Sequence, residues 1–418
     1  MLQWTHIKYA QGEEILKTPQ YENVIDIEQY NKKNSEKAPR KKVIIKTFVS
    51  IILLLIGAYL IYLNRYNPIM GNLMSIFLKD SMLRKPSTIT FDQGIQYEFK
   101  AYKNNILLCS RDGIKAIDKK GAEEWSIPLT FNKPLIQTTN KYILVANQGG
   151  REINVVTNYS IVSNVTTEEP IIMAKINDSG YFAVVTKEKG YKGKVTVFNP
   201  KGHELYRWHS VENSIIDIDI SYDGKRIAVA TVDTSKGKVS GGLVFFNLTE
   251  EKPYAGILIE DTLISNIKFY KDNSLVAIGD NQVISFSPQG VQKWNIDYAG
   301  RELQTFNIDS DEIIVLALSQ KKGGNFLNND SIVEILSRNG QKQGTYKASG
   351  EIKFLDVEDD LIALNKKRDV CIINPKGIEI AKATASKDIK DIDLFRNKRE
   401  ILMVSRNALD VLQLTKSR

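Results

Sequence analysis

The sequence predicts an all-β fold, an eight-bladed β-propeller with seven blades as the runner-up count, preceded by one transmembrane α-helix. Three observations predict it. A phrase recurs after residue 110, an apolar strand and a turn ending in Gly with a bulky residue four places on: Gly121 with Trp125, Gly202 with Tyr206 and Gly290 with Trp294, with weaker copies ending in Gly340 and Gly377. From Ser87 onward the apolar stretches are short, rich in Val, Ile, Phe and Tyr, and bounded by Gly, Asn, Asp or Pro, which is strand punctuation. Ahead of them, residues 43–63 read VIIKTFVSIILLLIGAYLIYL, the roughly 20 apolar residues that a bilayer core requires of a helix.

The N-terminal elements follow in order. Residues 1–42 are a polar, largely disordered tail that carries only the short apolar stretches 15–16 and 24–27. Residues 43–63 form the transmembrane helix; Lys46 lies near one end, where its stem reaches the headgroups. The 42 polar residues ahead of the run set it apart from a cleaved signal peptide. Lys32, Lys33, Lys37, Arg40, Lys41 and Lys42 precede the span, against Arg65 close after it, so the positive-inside rule puts the tail in the cytoplasm and everything after residue 63 outside. The expected localisation is the cell membrane, single-pass. In 64–86, Leu73, Ile76, Phe77 and Leu78 with Met74, Met82 and Leu83 give a helical apolar stripe, so a juxtamembrane neck helix is expected, ended by Pro86.

Residues 87–418 are the propeller. First strands placed near Tyr97, Pro134, Ile171, Ile215, Ile264, Leu303, Ile352 and Ile389 define eight units of about forty residues, each of four antiparallel strands. The eighth runs off the chain after its third strand, 409–414, while 87–92 form a spare strand ahead of unit one. That spare strand is expected to become the outer strand of the last blade and close the ring, removing its open edges. The recurring glycines supply positive φ, and Trp125 and Trp294 offer apolar faces to adjacent blades.

On these residues the chain resembles known families. The Gly-x-x-x-Trp phrase resembles the repeat of PQQ-like propellers, and the stretch from Tyr222 to Val229 is similar to WD-like bacterial propellers. The plan as a whole resembles an uncharacterised Gram-positive family of single-pass membrane proteins with an extracytoplasmic propeller. That resemblance implies a fold and brings no catalytic residues with it.

Charge and chemistry narrow the function. The formal charge of +8 divides into +2 for 1–42, +4 for 43–85 and +2 for 86–418, so bases gather where anionic headgroups lie, and no nucleic-acid motif appears. A quinoprotein enzyme is the second alternative function. Its calcium site would need dense oxygen ligands, yet Asp309, Asp311 and Glu312, like Glu358, Asp359 and Asp360, fall in predicted turns. His203 and His209 are separated from His6 by the predicted span, and Cys109 and Cys371 read as buried small hydrophobes. No catalytic, metal or cofactor residue is expected, and no cofactor.

Binding is the expected work. The loops joining second to third strands all emerge on one face, and three are enlarged: 186–193, 231–242 and 319–330. They carry Lys187, Lys189, Tyr191, Lys192, Lys236, Lys238, Lys321, Lys322 and Phe326, the candidate partner-binding residues. The expected function is a non-enzymatic protein-interaction scaffold in the bacterial cell envelope, its partner an envelope protein or anionic envelope polymer. The first alternative is a transmembrane sensor that recruits a cytoplasmic partner through the tail.

Overall fold

In seven of the eight blades the chain lays down four consecutive antiparallel strands from the centre outward. The computed structural model describes residues 50–52, 81–92, 95–157, 159–233, 239–319, 330–396 and 399–416. Among these, thirty-two strands pair into eight four-stranded sheets, so the ring has eight blades and the seven-bladed alternative is excluded. Blades one to seven occupy 98–128, 134–166, 171–210, 214–259, 264–297, 303–348 and 355–384.

The eighth blade is built from both ends of the domain. Its sheet order is Ser81–Thr90, Ala408–Lys416, Glu400–Ser405, Ile389–Leu394, and the outer pair runs from Ser81 opposite Lys416 to Thr90 opposite Ala408. The expected closing strand is therefore present, and it begins six residues earlier than 87. Residues 81–86 are strand, so the neck helix is corrected over that stretch. Its apolar residues obey a period of two: Leu83 packs into the cluster between blades seven and eight while Met82 is exposed. Pro86 interrupts no helix. It sits in an outer strand at the register shift between Arg84 and Ser87, where a missing N–H removes no ladder bond. The rest of the neck, the tail and the predicted span lie outside the described residues, apart from helical residues 50–52. Among the described residues no helix is long and apolar enough to cross a membrane.

The expected first strands match the inner strands, except in blade seven, which starts at Leu355 instead of Ile352. Asn365 Oδ1 accepts from the amides of Lys353 and Phe354 at 2.9 and 2.8 Å, holding them out of the ladder, while Ile352 stays buried as a loop residue.

Eight apolar clusters fill the eight gaps between neighbouring blades, the last joining Phe99 and Ile106 of blade one to Phe395 and Leu402 of blade eight. The recurring Gly phrase explains how the blades register. Asp118, Asn199, Ser287, Ser337 and Asn374, each three residues before its Gly, accept with a side-chain oxygen from the amides two and four residues on. This Asx- or Ser-type turn brings the Gly to positive φ. Gly121, Gly202, Gly290, Gly340 and Gly377 then all abut the outer strand of the preceding blade, or in blade one the closing strand at Ile89. Aromatic residues in or just before the outer strands point the other way, at the turn of the following blade. Tyr254 Oη donates to Pro288 O at 3.1 Å and Trp294 Nε1 to Arg338 O at 3.2 Å.

Candidate functional site

The loops between second and third strands share one face with the connections between blades. Gly149 N donates to Ile171 O and Ile171 N to Gly150 O, tying the blade-two loop to the start of blade three. In blade three the loop lies between Phe182–Thr186 and Gly193–Phe198, and Lys187, Lys189, Tyr191 and Lys192 are all exposed on it. Its base is held firmly. The ammonium of Lys194, only 5% exposed, lies 2.9 Å from both Glu168 and Glu188. Lys187 N donates to Pro170 O, Lys192 N donates to Ser210 O, and the Tyr191 ring lies 4.7 Å from that of His209.

The other candidate residues, Lys236, Lys238, Lys321, Lys322 and Phe326, lie outside the described residues. The flanking strands Arg226–Asp233 and Ser240–Asn247, and Ile313–Ser319 and Ser331–Ser337, are second and third strands, so both loops sit where expected. Blade four pairs as far as Asp233 opposite Ser240, which makes its loop shorter than 231–242.

A second set of polar groups, on the inner strands, was not singled out from the sequence. Asp217 Oδ2 accepts from Lys175 Nζ of blade three at 2.6 Å and from Ile267 N of blade five at 2.8 Å. Asp219 accepts from Phe269 N at 2.6 Å, Asp356 from Leu394 N at 2.7 Å and Asn307 Nδ2 at 3.2 Å, and Asp393 from Ala101 N at 2.7 Å. Each carboxylate thus fastens its own inner strand to the next one round the ring. The visible signal was acidic residues at alternate positions, Asp217 with Asp219 and Asp391 with Asp393, in strands whose partners are a blade away.

Enclosure shifts these groups. Burial raises Asp219 and Asp391; burial followed by the neighbouring Asp393 charge raises Asp356 well above the usual carboxylate range. Asp393 raises Lys100, aided by Asp391, Asp356 and Asp309, so carboxylates of blades six, seven and eight all bear on an ammonium of blade one. Lys100 lies 3.6 Å from Asp393 with 39% of its side chain exposed.

The inner carboxylates are committed to amides and ammonium groups, which is a structural use of perturbed acids. Burial pushes the Cys109 thiol up to about 12 and the Cys371 thiol up to about 11, far from a reactive thiolate. Asp309 and Asp311, in the turn after the inner strand of blade six, pair with Lys268 and Lys271. Among the described residues no group of three or more His, Cys, Asp or Glu side chains is placed to hold a metal.

BamB from Moraxella catarrhalis is 13% identical, with a TM-score of 0.49 over 79% of this chain and 100% of that one. The β-propeller domain of Cps50 (Swd1) from Myceliophteria thermophila is 10% identical, with a TM-score of 0.45 over 80% of this chain and 100% of that one. The C-terminal WD40 domain of Sif2 is 10% identical, with a TM-score of 0.41 over 80% and 99%. No curated protein matches the sequence. The profile of one protein family spans residues 83–414, from the closing strand to the strand it pairs with, and the chain belongs to that family, a family of unknown function (DUF5711).

Proposed function

We propose that the protein is a non-enzymatic interaction scaffold, held at a membrane by residues 43–63 with its tail in the cytoplasm and its propeller outside, and that it engages a partner protein through the face of the second-to-third-strand loops. The observation that carries this reading is the blade-three loop. Lys187, Lys189, Tyr191 and Lys192 are exposed together on a segment whose base is pinned by the Lys194 ion pairs. A loop with a fixed root loses little backbone freedom on binding, which favours recognition. The use of the inner carboxylates as fasteners and the inert thiols support a non-catalytic role.

The test is crosslinking in cells with identification of the captured proteins, comparing the natural chain with Lys187→Glu/Lys189→Glu/Lys192→Glu. Loss of a captured protein is expected, and an unchanged set of partners overturns the proposal. Anchoring is tested separately: deleting 43–63 is expected to release the protein from the membrane fraction, and persistence there refutes the anchor.

A further inference from the structure

The enlarged loops are not the only bases on that face. The short hairpin tips of blades seven, eight, one and two present exposed Arg368, Arg406, Arg111 and Arg151, and Lys367 is exposed beside Arg368. The tips are in ring order and run directly into the blade-three loop. Two of these arginines, Arg151 and Arg368, hold one and the same structural position, immediately before the third strand of their blades. The carbonyls of Arg151 and Arg368 accept from Thr167 N and Ala385 N at 2.9 and 2.8 Å, the amides that open the connection to the next blade; in blade one that carbonyl belongs to Asp112, next to Arg111, and accepts from Leu129 N at 3.3 Å, while Arg111 O accepts from Phe131 N at 2.9 Å. In blade eight the corresponding carbonyl belongs to Asn407, next to Arg406, and accepts from Phe91 N. The backbone beneath each guanidinium is therefore fixed, and the guanidinium stands free of the ladder on a tight tip.

Several carboxylates near this arc are drawn away from it, while Asp112 is exposed beside Arg111 on the blade-one tip. Glu152 accepts from Asn147 Nδ2 and Arg151 N, and Glu168 and Glu188 are bound by Lys194. Asp388, 85% exposed, pairs with Arg368 at 3.0 Å, a surface pair of little worth that a stronger anion displaces. The arc has an end: the blade-five tip carries Asp280 and Asn281, whose carbonyl makes the equivalent bond to Tyr298 N, and no base.

We infer that the tips of blades seven, eight, one and two form a binding track for a flexible linear polyanion with repeating phosphate or carboxylate groups. Single guanidinium groups, one per blade on successive fixed tips, suit a chain that lies along the arc and meets one cation after another. A guanidinium offers the planar fork that binds phosphate or carboxylate in two-point fashion. A folded acidic partner would have to match four separate tips with a rigid surface, whereas a polymer adapts. The track shares its face with the scaffold reading but does not need the blade-three lysines or a protein partner.

The experiment uses the full-length chain in detergent micelles with two fluorescent probes, linear inorganic polyphosphate and poly-glutamate of equal charge, titrated at several salt concentrations. Binding that weakens with salt is expected, and preference between the probes separates phosphate from carboxylate ligands. Arg111→Gln/Arg151→Gln/Arg368→Gln/Arg406→Gln is expected to weaken binding at least tenfold and to lower the log–log salt slope by about 0.7 per arginine lost. The matching four-fold Arg→Lys variant keeps most of that slope. All four positions are exposed, so an unchanged unfolding midpoint verifies that the Gln variant is folded. If neither polymer binds, or the Gln variant binds as well as the natural chain, the track is overturned, whatever the crosslinking of the lysine loop gives.

Discussion

The indole of Trp294 in blade five lies against Gly340 in blade six, and a Cβ on that glycine would stand 2.9 Å from the ring. The Gly and the Trp that adjoin in the repeated phrase serve different interfaces. Gly290 meets Ala255 of the blade before it, while Trp294 reaches the turn of the blade after it. Each phrase is a two-sided clasp, and eight clusters of apolar side chains lie behind the clasps.

Gly340→Ala is expected to destabilise the propeller by about 1–3 kcal/mol, because φ of +77 disfavours any Cβ and the ring blocks it. Gly256→Ala, where nothing lies within 4 Å, is expected to stay within about 0.5 kcal/mol of the natural chain. Urea unfolding of both variants checks the difference.

Removing residues 81–90 deprives the strand Ala408–Lys416 of its partner and exposes an edge containing Leu409 and Val411. Aggregation or loss of the cooperative transition is expected. A truncated domain that melts like the natural one would disprove the role of this strand in closure.

The raised pKa of Asp356 makes stability depend on pH in a definite direction. The folded state keeps its proton at a pH where the unfolded chain, near the ordinary value of about 4, has lost it. Stability from this group is fully present below that ordinary value and declines as pH rises through the raised one. Asp356→Asn is expected to reduce that decline, measured as denaturant midpoints across the acid to neutral range. A slope identical to that of the natural chain would mean that Asp356 is ionised in the fold.

Cys109 and Cys371 are buried free thiols raised to about 12 and about 11. Near neutral pH both are expected to resist iodoacetamide in the native protein and to react fully in denaturant, as read by intact mass. Rapid native labelling of either would contradict its placement.

Lys194→Met leaves Glu168 and Glu188 without the ammonium that gathers them, and the blade-three loop is expected to loosen. Trypsin should then cut after Lys187, Lys189 or Lys192 several-fold faster while the global unfolding midpoint shifts little. Equal cleavage rates would show that the loop is held by its backbone bonds alone.

The propeller was legible in the sequence because its signals are local. Turn chemistry at Asp118 to Gly121 or Asn199 to Gly202 repeats within each blade, and the alternation of Ile171–Ile176 marks an inner strand without knowledge of its neighbours. Residues 81–86 were misread as the end of a helix because apolar Met82 and Leu83 fit either period, and the partner that decides between them is more than three hundred residues away. The inner carboxylates escaped for a related reason. Asp217 reads as one polar position in an alternating strand until Lys175 and Ile267 arrive from two other blades. At the binding face, loop length drew attention to the lysines, whereas Arg111, Arg151 and Arg368 sit on tips of ordinary length and become a set only once the ring places them side by side.

The composite eighth blade gives synthesis a fixed order of events. The strand that closes the ring is made first among the propeller's strands and its partner last, so the circle is completed only when Ala408–Lys416 has emerged. A nascent chain thus carries two unpaired flanks until that strand appears, and a stop before Ala408 removes the strand on which closure depends.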